Sequence, residues 1–369
     1  MARDTDFMSA ERIVVGMSGG VDSSVAAALL TEAGHEVVGV TMRVWPWREA
    51  SEGSTRFGSC CGTDAVEDAR RVAGALGIPY YVLNMADEFD RRVIAPFAEA
   101  YRDGRTPVPC LACNSDLKFG SLLGRAAAWD AAAVATGHYA RIDRVPETGR
   151  WRLLRARDVR KDQTDFLWPL TQAQLGAARF PIGELTKDEV REYARRLGLV
   201  TADKPESQEI CFVPEGNYRG FLREREPATF RAGSIVDIDG RTLGQHDGVA
   251  GFTIGQRRGL GLAAGRALYV VDLDADTDRV TVGDAADLER DRLVAGRVNF
   301  IAGAPPAEPQ RVMAKIRHNH EPAAATLRLL ADGRAEVVFD RPQRAIAPGQ
   351  SCVWYQDEEV LGGGVIERR

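Results

Sequence analysis

The segment that most restricts this chain is the apolar run Ile13-Val14-Val15-Gly16, followed by Met17-Ser18-Gly19-Gly20-Val21-Asp22-Ser23-Ser24 and an apolar stretch to Ala33. A short buried strand that passes through glycines into an apolar helix is the opening unit of a parallel sheet. Glycines let the backbone turn and approach a ligand without a Cβ clash. The N–H groups at the helix start, with the positive end of its dipole, then hold an anion. A polyphosphate is the expected ligand. No Gly-Lys-Ser/Thr ends the loop, so it is not the Walker pattern. A plain Gly-Ser turn capped by Asp22 would account for the loop but not for the strand and helix that flank it.

The alternation continues. Val37–Met42 reads as a strand, Asp64–Leu76 as a helix stopped by Gly77 and Pro79, and Tyr80–Asn84 as a strand. Helices are expected over about Phe89–Tyr101 and Asp116–Trp129, then a strand at Ala133–Thr136. The fold class is α/β, a parallel sheet with helices on both faces. In such sheets ligands bind beyond the carboxyl ends of the strands, where the loop after Val15, Met42 and Gly137-His138 fall. A further helix over Leu185–Leu197 opens with Thr186-Lys187-Asp188-Glu189, a capping-box pattern. From about Glu215 helical periodicity fades into short alternating segments: Ser234–Ile238, Leu268–Asp272 and Val280–Val282. After Leu288 six strands follow (Gly296–Ile301, Arg311–His318, Ala324–Leu330, Ala335–Phe339, Ser351–Tyr355 and Gly364–Glu367), enough for a small closed barrel. The expected division is a catalytic domain over 1–214, a small β-rich central domain over 215–287 and a C-terminal β-barrel over 288–369.

A length of 369 residues suits two or three domains. No apolar run approaches the roughly 18 residues a membrane span needs. The start, Met1 to Arg12, mixes acidic and basic residues without an apolar core, unlike a secretory or transit signal. A cytoplasmic protein without a membrane partner is the expectation. A net charge of −5 excludes a broadly basic surface but not an RNA partner, since local clusters set phosphate contacts.

Six cysteines in a chain this long do not form a disulfide framework, and in a reducing compartment clustered cysteines point to catalysis or metal. They fall as the pair Cys60 and Cys61, a Cys-x-x-Cys at Cys110 and Cys113, and singles at Cys211 and Cys352. Cys113 precedes the helix expected from Asp116, and a thiol at a helix N-terminus has its thiolate stabilised. Cys211 ends Glu206-Ser207-Gln208-Glu209-Ile210-Cys211, just before the change of texture. A structural zinc site would need two further ligands, and no second Cys-x-x-Cys or spaced histidine supplies them. Cys352 lies in an alternating strand and reads as core. Cys60 and Cys61 receive no role.

Ser18-Gly19-Gly20-Val21-Asp22-Ser23 resembles the pyrophosphate loop of the ATP pyrophosphatase superfamily, whose members split ATP between its α and β phosphates and adenylate a carbonyl oxygen. The wider pattern is Gly104-Arg105-Thr106-Pro107, Thr136-Gly137-His138-Tyr139, Lys161-Asp162-Gln163, Gly255-Gln256-Arg257-Arg258-Gly259-Leu260-Gly261, Lys315-Ile316-Arg317 and Pro348-Gly349-Gln350. In order and spacing, over nearly the whole chain, it resembles the bacterial tRNA-specific 2-thiouridylase (MnmA) family. The resemblance implies ATP-dependent 2-thiolation of the wobble uridine in tRNAs for lysine, glutamate and glutamine. It implies a persulfide on Cys211 and Cys113 as partner thiol and nucleophile, the two able to pair as a disulfide when oxidised. Gly16, Met17, Ser18, Gly19, Gly20, Val21, Asp22, Ser23, Met42 and Gly137 would bind ATP, with Mg2+ on its phosphates. Val108, Pro109 and Cys110 would face the target base. His138, Lys161, Asp162, Gln163, Arg317, His318 and Gln350 would contact tRNA. A sulfur-donating protein, a cysteine desulfurase or a relay carrier, is the further partner implied.

One position departs from the pattern. Some relatives carry Asp where this chain has Cys110, so Cys110, Cys113 and Cys211 form a candidate ligand set for a [4Fe–4S] cluster, a route that would replace the persulfide. Two rivals lie further off. A small-molecule amidase sharing the loop would leave both cysteine sites unexplained. A non-catalytic RNA-binding module fits poorly with residues 288–369, where 12 Lys and Arg face 11 Asp and Glu.

Overall fold

The computed structural model describes residues 10–44, 63–206, 210–213, 216–263 and 265–368. Cys60, Cys61 and the segment Trp45–Gly58 lie outside the described residues, as do Ser207, Gln208 and Glu209. Contacts divide the chain into two compact units. The first holds the chain up to Asp90 with Ala112–Thr164 and Leu170–Phe212, and the second holds Arg91–Leu111, Asp165–Pro169 and the chain from Val213.

In the first unit five parallel strands lie in the order Tyr80–Asn84, Glu36–Arg43, Arg12–Gly16, Ala133–Thr136, Ala178–Arg179. Residues of both faces are fully buried. Ile13, Val15, Ala133 and Ala135 join one core cluster, and Val14 and Val134 are equally covered, which is why these strands read as continuous apolar runs. The chain leaves the central strand Arg12–Gly16 for Glu36–Arg43 on one side, and its other neighbour is Ala133–Thr136. The order therefore reverses at the carboxyl ends of these two strands, the place where ligands of open α/β sheets bind. The Val21–Glu32 helix starts there and is buried almost all round. The Lys187–Arg196 helix has the expected capping box. Thr186 Oγ1 accepts from the Glu189 amide, and Glu189 Oε2 accepts from the Thr186 amide. Its inward face is Lys187, Val190 and Ala194, one turn apart.

Two helical expectations need correction. The helix placed at Phe89–Tyr101 begins at Ala86 and passes through a π-helical turn at Asp90–Ile94 before Ala95–Arg102. The helix placed from Asp116 begins seven residues earlier: Pro109–Ala112 leads into a π-helical stretch over Cys113–Leu122 and then Leu123–Ala127. Pro109 suits the first helical position, where its missing N–H costs nothing. Cys113 therefore follows the first turn instead of preceding the helix, and the dipole argument for its reactivity falls away. The hairpin Ala140–Arg144 with Trp151–Arg155 was not foreseen.

In the second unit a four-stranded sheet has the order Tyr269–Asp274, Arg279–Gly283, Gly233–Asp237, Thr242–His246. It packs its apolar side on Val249, Phe252, Leu260 and Leu268. The charged helix Tyr218–Arg225, also unforeseen, lays Tyr218 against the ring of Tyr101 at 4.8 Å. The last six strands close as expected. Glu289–Phe300 pairs with Ala335–Arg344 on one side and with Glu359–Ile366 on the other, and two register shifts bend it round. Cys352 lies wholly buried in the barrel core with Trp354, Val312 and Phe339.

Candidate active site

The loop after the first strand is fixed from below and from the side. Met17 donates its amide to Val40 at 2.8 Å, and its carbonyl accepts from Thr41 Oγ1 at 2.6 Å. Met17 is buried across Gly39, where a Cβ would stand 2.5 Å from its Sδ. Gly19 has φ +69, and a Cβ there would meet the Ala65 carbonyl oxygen at 2.1 Å; no side chain fits. Ser23 Oγ accepts from the Ser18 amide at 3.1 Å, which curls the loop over the helix start. Gly20 caps the helix without a side-chain bond, so the first turn presents backbone amides to an incoming anion. Gly137, after Ala133–Thr136, lies against that turn: a Cβ would be 2.5 Å from the Ser23 nitrogen. The loop and Gly137 thus share one corner. Met42 is half-buried near the end of the neighbouring strand.

Around the loop runs a chain of charges. Asp22 accepts two bonds from Lys187 Nζ, at 2.8 and 2.9 Å, and one from the Tyr139 hydroxyl at 2.8 Å. Lys187 also meets Glu206 Oε1 at 2.9 Å, and Lys161 meets Glu206 Oε2 at 2.7 Å. Burial pushes the Glu206 carboxyl up, but the bonds and charges of Lys161 and Lys187 together hold it below its ordinary value. Burial, then the charge of Asp22, raises the Tyr139 phenol well above its ordinary value. Lys204 Nζ donates to the Gly19 carbonyl at 2.9 Å and pairs with Asp68 at 2.6 Å. Lys187, Lys204 and Glu206 were missed as site residues. The signal for Lys187 was present: a lysine at the first position of a helix stands against the dipole and asks for a reason.

The residues named for tRNA contact fall into three groups. Gln163 exchanges two bonds with Tyr139, its Oε1 accepting at 3.0 Å and its amide donating at 3.0 Å; this ties Lys161-Asp162-Gln163 to the Gly137-His138-Tyr139 turn. His138 and Asp162 face inward. His138 is buried between Phe119 and Phe180, and its Nδ1 lies 2.6 Å from Thr136 Oγ1. Burial, then the charge of Lys118, lowers its pKa well below the ordinary value. Asp162 accepts from the Ala156 amide at 3.1 Å, from Thr164 Oγ1 and from Arg155. In the second unit Gln350 Nε2 donates to the Thr106 carbonyl at 3.0 Å, and the Thr106 amide donates to Pro348 at 2.8 Å. The half-buried Val108 and Pro109 and the exposed Cys110 follow directly. Arg317 donates to the Arg344 carbonyl at 3.1 Å, and burial lowers its pKa. The exposed His318 contacts Asp165 at 3.0 Å, with its ring 4.7 Å from that of Phe166.

Cys113 and Cys211 are both half-buried in the first unit. The short helix Ala86–Phe89 anchors both their segments. Ser121, on the stretch that begins at Cys113, bonds Glu88, and Phe212, next to Cys211, sets its ring edge-on to Phe89 at 5.6 Å. Among the described residues no three His, Cys, Asp or Glu side chains are gathered to hold a metal. Both oxygens of Asp22 are engaged by Lys187.

Three family profiles cover the chain: one described as the tRNA methyl transferase HUP domain over residues 11–215, one as the tRNA methyl transferase PRC-barrel domain over 219–284, and one as the aminomethyltransferase beta-barrel domain over 290–366. A relative from Carboxydothermus hydrogenoformans, named tRNA-specific 2-thiouridylase MnmA, is 50% identical over 99% of this chain and 100% of its own. One of the same name from Moorella thermoacetica is 52% identical over 96% of this chain and 99% of its own. Among solved structures, a 4-thiouridine synthetase–RNA complex with bound ATP is 18% identical, with TM-score 0.34, over 59% of this chain and 51% of that one, a likeness too slight to bear on function. Identity of this order along the full length, over a fold of the expected kind, means that the chain belongs to the tRNA-specific 2-thiouridylase family.

Proposed function

We propose that this protein is an ATP-consuming tRNA sulfurtransferase that makes 2-thiouridine at the wobble position of tRNAs for lysine, glutamate and glutamine. ATP enters as its magnesium complex, and the amides of the Val21–Glu32 helix start receive its phosphates. The uridine O2 attacks the α-phosphorus, the bond to the β-phosphate breaks and pyrophosphate leaves. Adenylation turns a poor leaving oxygen into AMP. The terminal sulfur of a persulfide on Cys211 then attacks C2 and AMP departs. Cys113 attacks Cys211 Sγ, which frees the thiocarbonyl and leaves a Cys113–Cys211 disulfide for a cellular dithiol to reduce. A cysteine desulfurase or relay carrier reloads Cys211. Holding base, nucleotide and persulfide together supplies the orientation solution chemistry lacks. Lys161, Gln163, Arg317, His318 and Gln350 are the proposed tRNA contacts. His138 and Asp162, being buried, brace Lys161 and Gln163 from behind.

The observation that carries this reading is the pairing of a phosphate loop at the sheet's reversal point with full-length identity of about half to the named thiouridylases. The test is nucleoside mass spectrometry of total tRNA from a strain lacking the gene and from the strain with it restored. Loss of 2-thiouridine on deletion and its return on restoration are expected; unchanged 2-thiouridine in the deletion strain would remove the assignment.

A further inference from the structure

Lys187 lies on the buried face of its helix, and neither the loop pattern nor the cysteines call for it. Its ammonium carries three N–H donors and meets three acceptors, both oxygens of Asp22 and one of Glu206. The side chain is 8% exposed, so this charge is withdrawn from water at the helix end where the dipole opposes it. Asp22 has the complementary difficulty. It sits in the first turn of the Val21–Glu32 helix, where a bare carboxylate repels the anion the turn is shaped to receive. Each residue removes the other's liability.

We propose that Lys187 is a positioning residue for nucleotide binding: its ammonium cancels and fixes the charge of Asp22, so that the helix amides meet a triphosphate without an opposing charge. With all its donors engaged, Lys187 acts through Asp22 and not on the nucleotide. Glu206 supplies the third acceptor and, shared with Lys161, keeps the four-group chain neutral, two ammonium groups against two carboxylates. The inference rests on the ATP reading of the loop.

Equilibrium dialysis of the full chain with labelled ATP and labelled AMP tests it in the wild type, K187M and the double variant K187M/D22N. Repulsion from an uncompensated Asp22 grows with ligand charge, so K187M should weaken ATP binding by about tenfold or more and AMP binding by less than about threefold. Neutralising Asp22 in the double variant should return most of the lost ATP affinity. Equal losses for ATP and AMP are what a merely structural role gives, and they overturn the proposal. So does wild-type ATP affinity in K187M, or a double variant no better than the single. A wild type that binds no ATP removes the ATP reading, and this inference with it.

Discussion

Replacing Gly137 by alanine probes the corner where strand, loop and helix meet. The added methyl would stand 2.5 Å from the Ser23 nitrogen and 2.6 Å from the Asp22 carbonyl carbon. Ordinary separations of such atoms are about 3.5 Å, so the first helical turn must retreat by about 1 Å, and backbone cannot swing aside as a side chain can. Overpacking of this kind costs about 1–3 kcal/mol, which lowers Tm by roughly 2–12 °C for a unit of about 200 residues. Misplacing a reacting group by about 1 Å costs on the order of 10²-fold in rate. Gly137→Ala is therefore expected to remain folded with a modestly lower Tm and to lose on the order of 10²-fold in kcat/KM for AMP formation. Release of labelled pyrophosphate in the presence of unmodified tRNA, beside thermal unfolding, reads both effects. Full turnover in the variant would refute the claim that the loop depends on this contact.

Asp22→Ala and Ser18→Ala should abolish formation of AMP and pyrophosphate; ADP as the main product of the wild type would place cleavage at the wrong bond. Cys113→Ser and Cys211→Ser should each stop thiolation while ATP binding survives, and normal 2-thiouridine in a strain carrying Cys211→Ser would remove that residue from the sulfur path. Cys110→Asp should keep activity if sulfur travels as persulfide, whereas stoichiometric iron in anaerobically purified wild type, lost with activity in the variant, would establish the cluster route. His138, held well below its ordinary pKa by burial, stabilises the fold fully above the unfolded value near 6.5, and that share is lost as pH falls below it. Urea unfolding across this range should show a slope that His138→Gln flattens; identical slopes would disprove the linkage.

The parts of the fold legible in the sequence were those where local chemistry and burial agree. The loop between Val15 and Val21, the Thr186 capping box and the six final strands each have a pattern that one element satisfies alone. The helix Tyr218–Arg225 was missed because its packing comes from a partner distant in sequence, Tyr101 against Tyr218, and the hairpin Ala140–Arg144 with Trp151–Arg155 was missed although its pairing is local. The helix start near Cys113 was misplaced because Pro107 and Pro109 look like a loop, although Pro109 is an acceptable first helical residue. In the site, glycines and cysteines advertise themselves by type. Glu206 does not, and Lys187 does so only by its place at a helix start; only the folded chain shows Lys187 closing on Asp22 with Glu206 as its second partner.

The closed barrel gives Cys352 a use of its own. Burial pushes its thiol up to about 12, so at neutral pH it carries almost no thiolate, the form that alkylating reagents attack. Its strand is hydrogen-bonded on both sides, and reagent can reach the sulfur only when that pairing breaks. The rate at which Cys352 becomes labelled therefore clocks barrel opening, a built-in reporter of local unfolding that reads separately from the chemistry proposed for Cys113 and Cys211.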